Sequence, residues 1–136
     1  MDFKELIENA KLASLNSYSP YSNFKVGAAL LTKNGEIVRG CNIENASYGL
    51  TNCAERTCLF TAYASGIKKE DIVAFCVYSP KDHLISPCGA CRQVMAELLN
   101  DQCVIIMAYG KNDLYQQTTL KELLPFSFNE EDLNHD

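Results

Sequence analysis

Positive charge is scarce in this chain of 136 residues. Lys and Arg number 12 against 17 Asp and Glu, a formal net charge of −5. A nucleic-acid backbone binder draws its affinity from Lys and Arg, and an amphipathic membrane anchor needs a basic face, so neither partner is expected. Long apolar runs are also missing. The longest, Ile72–Tyr78 and Cys103–Tyr109, fall far short of the roughly 20 residues that cross a bilayer. Met1–Ala13 is acidic and amphipathic and has no secretory h-region. Repeats, linkers and low-complexity tracts are absent. No basic cluster or Gly-rich loop offers a phosphate site, so phosphorylated substrates are not expected. What the chain does have is seven cysteines. An odd count rules out complete pairing within one chain, and without a leader the expectation is a reducing, cytoplasmic setting. Thiols there read as metal ligands or catalytic groups.

The length fits about one domain, expected over residues 1–128, with an acidic tail at 129–136. Phe3, Leu6, Ile7, Ala10 and Ala13 recur at helical spacing, and Asp2 with Glu5 resembles a capping box. Lys25–Thr32 and Glu36–Asn42 read as strands joined at Asn34-Gly35, a hairpin signal. A helix is expected from Cys53 to Ser65, closed by Gly66, then a strand at Ile72–Tyr78. Another helix should start near Pro87, with Cys91, Val94, Met95 and Leu98 inward. Strands at Cys103–Tyr109 and Leu114–Thr118 and a short helix at Thr119–Leu124 complete the pattern. Helices alternating with buried strands after a hairpin predict an α/β fold, a mixed sheet with helices on both faces.

Two short motifs carry the chemistry: Cys53-Ala54-Glu55 and Pro87-Cys88-Gly89-Ala90-Cys91. Both fall where a helix begins, and free N–H groups with the positive dipole end stabilise thiolates. Cys88 and Cys91 share one helix face. Three protein ligands match a catalytic zinc site, which keeps a position for water, whereas structural sites usually have four. Glu55, two residues past a ligand, is placed to act as general acid and base beside such a water. A His-or-Cys, x, Glu motif followed by Pro-Cys-x-x-Cys is the pattern of the zinc deaminases, and both halves of it are present here. Other readings stay open at this point. Cys88 and Cys91 alone would fit a thioredoxin-like redox pair. A structural zinc could take a fourth ligand from Cys41, Cys58, Cys76, Cys103 or His83. Cys76 and Cys103 sit in apolar strands and read as core residues; His83 and His135 read as solvated.

Beyond these motifs, Pro20–Leu30 (PYSNFKVGAAL), Gly40–Tyr48 (GCNIENASY), Cys53–Arg56 (CAER), Pro87–Gln93 (PCGACRQ) and Leu123–Pro125 with Phe128 occur in an order that closely resembles the small homotetrameric cytidine deaminases. The resemblance spans residues 2–133. It implies a three-layer α/β/α cytidine deaminase-like fold with a mixed five-stranded sheet, one Zn²⁺ per subunit and a homotetramer with shared active sites. It implies that Cys53, Cys88 and Cys91 bind zinc and that Glu55 shuttles protons. Asn42 and Glu44 would hold the ribose 3′-hydroxyl; residues two apart near a strand end point the same way, and an amide plus a carboxylate can donate and accept together. Phe24 would stack on the pyrimidine and the Ala54 backbone would bond the base. Ala46, Tyr48 and Phe128 would reach the site of a neighbouring subunit. Arg56 would offset the charge of three thiolates, which otherwise makes zinc a weaker acidifier of water. The chain departs from the pattern at Phe126, where a small residue is expected, at Cys58 in place of an alanine, and loosely over Val77–Asp82.

The expected reaction is hydrolytic deamination of cytidine and deoxycytidine to the uridine forms with release of ammonia, a step of pyrimidine salvage. One alternative is deamination of another aminated heterocycle, such as a blasticidin-type nucleoside antibiotic, which Asn42-Ile43-Glu44 argues against. The other is a non-catalytic zinc-stabilised binding protein, which an intact Glu55 beside an open three-ligand site argues against.

Overall fold

The computed structural model describes residues 2–133. Helix α1 (Lys4–Ser14) is followed by β1 (Gly27–Thr32), β2 (Ile37–Cys41), α2 (Ala54–Ala64), β3 (Ile72–Ser79), α3 (Gly89–Leu98), β4 (Val104–Tyr109), β5 (Leu114–Thr118) and α4 (Leu120–Leu123). The strands form one sheet in the order β2-β1-β3-β4-β5. β1 is antiparallel to β2 and β3, β3 and β4 are parallel, and β5 returns antiparallel. The sheet is mixed and five-stranded, as expected.

Alternation along the strands divides the core into two layers. Ala29, Ala74, Cys76 and Ile106 face α1, where Leu6, Ile7 and Ala10 meet them. Leu30, Phe75 and Ile105 face the other way, onto Leu59 of α2 and Met95 of α3. The result is a three-layer α/β/α stack. Cys76 and Cys103 are buried in it, and desolvation pushes both thiols up to about 12.

Two glycines set how closely the outer layers sit. A Cβ on Gly27 would lie 1.9 Å from the Ala10 carbonyl oxygen of α1, and one on Gly40 would lie 2.4 Å from the Cys58 nitrogen of α2. Backbone cannot yield there as a flexible side chain would, so only glycine admits this approach. The contact at Gly40 seats α2 against β2 five residues beyond Cys53 and so helps fix the depth of that cysteine.

One local expectation is corrected. The Asp2–Glu5 capping box does not form. The helix begins one residue late, with Phe3 as its cap and Glu5 as its second residue; Asp2 Oδ1 accepts from the Lys4 N–H at 2.9 Å instead. In the hairpin, Gly35 has φ +88° while Asn34 stays out of the left-handed region. Gly35 N–H donates to Thr32 O (3.0 Å) and Thr32 N–H to Glu36 O (2.9 Å). This is a three-residue loop with a left-handed glycine, the second commonest hairpin form. Near the C-terminus, Asn129 caps a 3₁₀ turn at Glu130–Asp132, and Glu130 pairs with Lys69 at 3.7 Å. His135 lies outside the described residues.

Candidate active site

One edge of the sheet gathers the chemistry. Cys41 at the end of β2 pairs with Gly27, and Gly27 pairs with Tyr78 near the end of β3. Asn42, the Phe24–Val26 segment and Ser79 therefore emerge side by side. The N-termini of α2 and α3 point at the same edge. Cys53 and Cys88 are the residues just before those helices, both with extended backbone. Cys91 lies one turn into α3 and donates its N–H to Cys88 Sγ at 3.5 Å.

The three sulfurs lie within 4.8 Å of one another, and Cys53 Sγ is 4.0 Å from Cys88 Sγ. Among the described residues no other Cys, His, Asp or Glu joins this group. Cys41, Cys58 and His83 are elsewhere. Cys58 is buried and its Sγ donates to Val38 O at 3.3 Å, while His83 is exposed beside Asp82. The hydrogen bond from Cys91, helped by Arg56, holds the Cys53 thiol down to about 5. The same contact pushes Cys91 up, because it is the partner that keeps the proton. A cation bound by thiolates displaces protons of this kind. Arg56 Nη2 donates to Cys53 Sγ at 3.4 Å, and the thiol in turn raises the guanidinium pKa. Arg56 Nε is buried without an acceptor among the described residues.

This set fits zinc. Soft sulfur donors favour it, and a tetrahedron with Zn–S of about 2.3 Å spaces its sulfurs about 3.8 Å apart. The observed 4.0 Å is close to that. Three ligands leave one coordination position, and the cavity floor supplies a group beside it. Glu55 is the second residue of α2 and 5% exposed. Burial pushes its carboxyl up to about 7, with Cys53 adding to the rise.

Glu55 faces a cavity of about 210 Å³ walled by Phe24, Val26, Asn42, Ala54, Val77 and Ser79, with Thr51, Ile85, Ser86, Cys53 and Cys88. Thr51 is shared with an outer cleft of about 340 Å³ lined by Tyr21, Ser22, Glu44, Asn45 and Tyr48. Together they reach the size range of small-ligand sites. The Ala54 N–H, first in its helix, has no helical acceptor, and Ala54 lines the inner cavity.

Asn42 and Glu44 carry more structure than their spacing indicates. Asn42 Nδ2 donates to Phe24 O at 2.7 Å, and its Oδ1 accepts from Val26 N–H at 3.0 Å and from Ser17. It clamps the strand-entry segment, and its second amide N–H has no partner among the described residues. Glu44 accepts from the N–H groups of Tyr21 (3.0 Å) and Ser22 (3.2 Å) and from the Ser22 hydroxyl. The Ser22 hydroxyl, with those N–H groups, holds its carboxyl below the ordinary 4.5. Tyr48 packs edge-on to Tyr21, with centroids 6.1 Å apart. Ala46, Tyr48 and Phe128 are exposed and do not line the cavity that holds Glu55. Gln93 Nε2 ties the Phe128 carbonyl to α3 at 2.8 Å. Phe126, where a small residue was expected, has φ +56° and is fully exposed. That left-handed backbone suits glycine and is strained for phenylalanine.

Sequence reasoning missed several wall residues. Thr51, Val77, Ser79 and Ile85 carry no motif signal. Arg92 lies inside the Pro87–Gln93 motif, which gives it no role; its guanidinium binds Pro87 O (2.8 Å), Ser86 Oγ (2.8 Å) and Leu123 O (2.6 Å) and so fixes the loop before Cys88.

The family model described as "Cytidine and deoxycytidylate deaminase zinc-binding region" matches residues 2–107. A cytidine deaminase of Halalkalibacterium halodurans is 52% identical over 134 residues, covering 98% of this chain and 99% of its own. The crystal structure of cytidine deaminase from Burkholderia pseudomallei superposes with a TM-score of 0.89 at 48% identity, covering 94% of this chain and all of that one. A blasticidin-S deaminase of Bacillus cereus is more distant, 33% identical over 76% of either chain. Sequence, fold and the three-sulfur site with its neighbouring carboxyl agree: this chain belongs to the cytidine and deoxycytidylate deaminase family.

Proposed function

We infer that this chain hydrolyses cytidine and deoxycytidine to uridine and deoxyuridine, releasing ammonia, as in pyrimidine salvage. The observation that carries the reading is the buried Glu55 carboxyl in a cavity lined by Cys53 and Cys88, whose sulfurs converge with that of buried Cys91. Cys53, Cys88 and Cys91 would hold zinc, with Arg56 offsetting their charge. Bound there, zinc supplies a Lewis acid that makes water acidic near neutral pH.

The residues of the chain do the rest. Glu55 takes a proton from the attacking water and delivers it to N3 of the base, which makes C4 electrophilic. Oxygen adds at C4. Glu55 then passes the second water proton to the exocyclic amine, the C4–N bond breaks, and ammonia leaves. Phe24 packs on the pyrimidine and the Ala54 N–H bonds it. The second amide N–H of Asn42 and the Glu44 carboxylate hold the ribose. The polar ribose contacts favour a nucleoside over an antibiotic lacking a matching sugar.

The test is the fall in ultraviolet absorbance as cytosine becomes uracil, with blasticidin S assayed in parallel. Turnover of cytidine in clear preference is expected. Turnover of blasticidin S alone would overturn the substrate assignment.

The working unit is a homotetramer with shared sites. Tyr48, Leu50, Phe60, Phe126 and Phe128 are exposed at 47% or more, and large exposed apolar side chains in number mark contact surfaces. Sedimentation equilibrium should give four times 15.1 kDa; a fully active monomer would contradict shared sites. Residues 1–128 form the catalytic domain in this reading, and the cytoplasm is its setting. No helix among the described residues is long and apolar enough to cross a membrane.

A further inference from the structure

The inner cavity has two walls that approach each other from different parts of the chain. One is the Phe24–Val26 segment that enters β1. The other is the stretch from Ser79 to Cys88 that leaves β3 and delivers a sulfur. Each wall is anchored on its own side. Asn42 holds the first through the Phe24 carbonyl and the Val26 N–H. The second is pinned at both ends, by Arg92 on Ser86 and Pro87 and by the Lys81 N–H on Ser79 Oγ at 3.2 Å. Ser79 O in turn accepts from Gly110 N–H at 3.1 Å. Among the described residues no hydrogen bond or ion pair joins the Tyr21–Val26 segment to the 80–88 stretch. One electrostatic contact does: Lys81 Nζ sits 5.5 Å from the centroid of the Phe24 ring. That is within cation–π range, where the ammonium is drawn to the negative face of the ring.

We propose that Lys81 is a positioning residue for substrate binding, a latch that holds the Phe24 ring against the base and ties the two cavity walls together. The inference rests on the reading of Phe24 as the residue that packs on the pyrimidine. A ring half-buried at a cavity mouth can rotate when no base is present. A cation on its outer side selects one orientation before substrate arrives, which lowers the ordering cost of binding. The contact involves Phe24 and no reacting atom, so in this proposal it acts on affinity and leaves the chemical step alone.

The test uses the zinc-loaded full chain and two variants. Lys81→Met keeps the aliphatic stem and removes the charge; Lys81→Arg keeps a cation. Exposed cation–π contacts correspond to about two- to fivefold in affinity. Lys81→Met should therefore raise KM for cytidine, and the dissociation constant for the product uridine, by about that factor with kcat within about twofold. Lys81→Arg should restore both. In a Phe24→Leu background Lys81→Met should have no further effect. Unchanged KM in Lys81→Met, equal losses in both variants, or full additivity with Phe24→Leu would each overturn the proposal. Uridine binding is read without turnover, so a wild-type protein inert toward cytidine would strike the function and leave the Lys81 comparison readable.

Discussion

Glu55→Gln keeps its zinc and loses turnover of cytidine by at least about a thousandfold. General acid–base catalysis is commonly worth about 10²–10⁴, and here one carboxyl handles every proton: from water, to N3, and to the leaving amine. No second group among the cavity walls can substitute. Ser79 and Ser86 are hydroxyls, Asn42 is an amide, and Glu44 belongs to the outer cleft with both oxygens engaged by the Tyr21–Ser22 turn. Glutamine has nearly the same shape, so the 5% exposed pocket stays filled and the sulfurs are untouched. Metal analysis beside the ultraviolet assay separates the outcomes. Rapid turnover by a zinc-loaded Glu55→Gln protein would remove Glu55 from the mechanism.

Cys91→Ala gives the second large effect, on metal and stability together. Cys91 is completely buried and bridges α3 to Cys53 of α2. Losing it leaves two ligands, one of them exposed Cys88, and two thiolates do not close a zinc site. Zinc content is expected to fall from about one per chain to a small fraction of that. The link between the two helix starts goes with it, and ligand binding that favours the folded state no longer contributes. The melting temperature should therefore drop by several degrees, and chelator should depress the wild type toward the variant while leaving the variant unchanged. A variant that holds full zinc would show that another residue completes the site.

Much of this could be read from the sequence because it is local. Cys53 and Cys88 sit at helix starts, and the sequence marks those starts with Pro87 and with the polar run before Ala54. The β1–β2 hairpin announces itself through Asn34-Gly35, although the choice of a three-residue loop rests on Asn34 avoiding positive φ, which no residue type dictates. Strand order is a different matter. Nothing in Gly27–Thr32 says that it pairs with both β2 and β3, since pairing is decided by packing across the whole sheet. The same holds for polar side chains. Asn42 and Glu44 were legible as a ribose-facing pair, but their grip on Phe24, Val26, Tyr21 and Ser22 spans 16 to 23 residues of chain and leaves no periodic trace. Lys81 is a surface lysine in the sequence and becomes a contact of Phe24 only in three dimensions. Phe126 shows the reverse: the sequence showed a misfit with the family pattern, and the left-handed backbone is where that misfit falls.

Hydrolysis in ¹⁸O-water tests the proposed reaction at its centre. Zinc-loaded protein is incubated with cytidine, and the product is weighed by mass spectrometry while ammonia is counted. Uridine with one ¹⁸O at C4 and one ammonia per uridine are expected, since water supplies the oxygen and the amine departs intact. Cytidine recovered unchanged from a sample carrying one zinc per chain would contradict hydrolytic deamination by this chain.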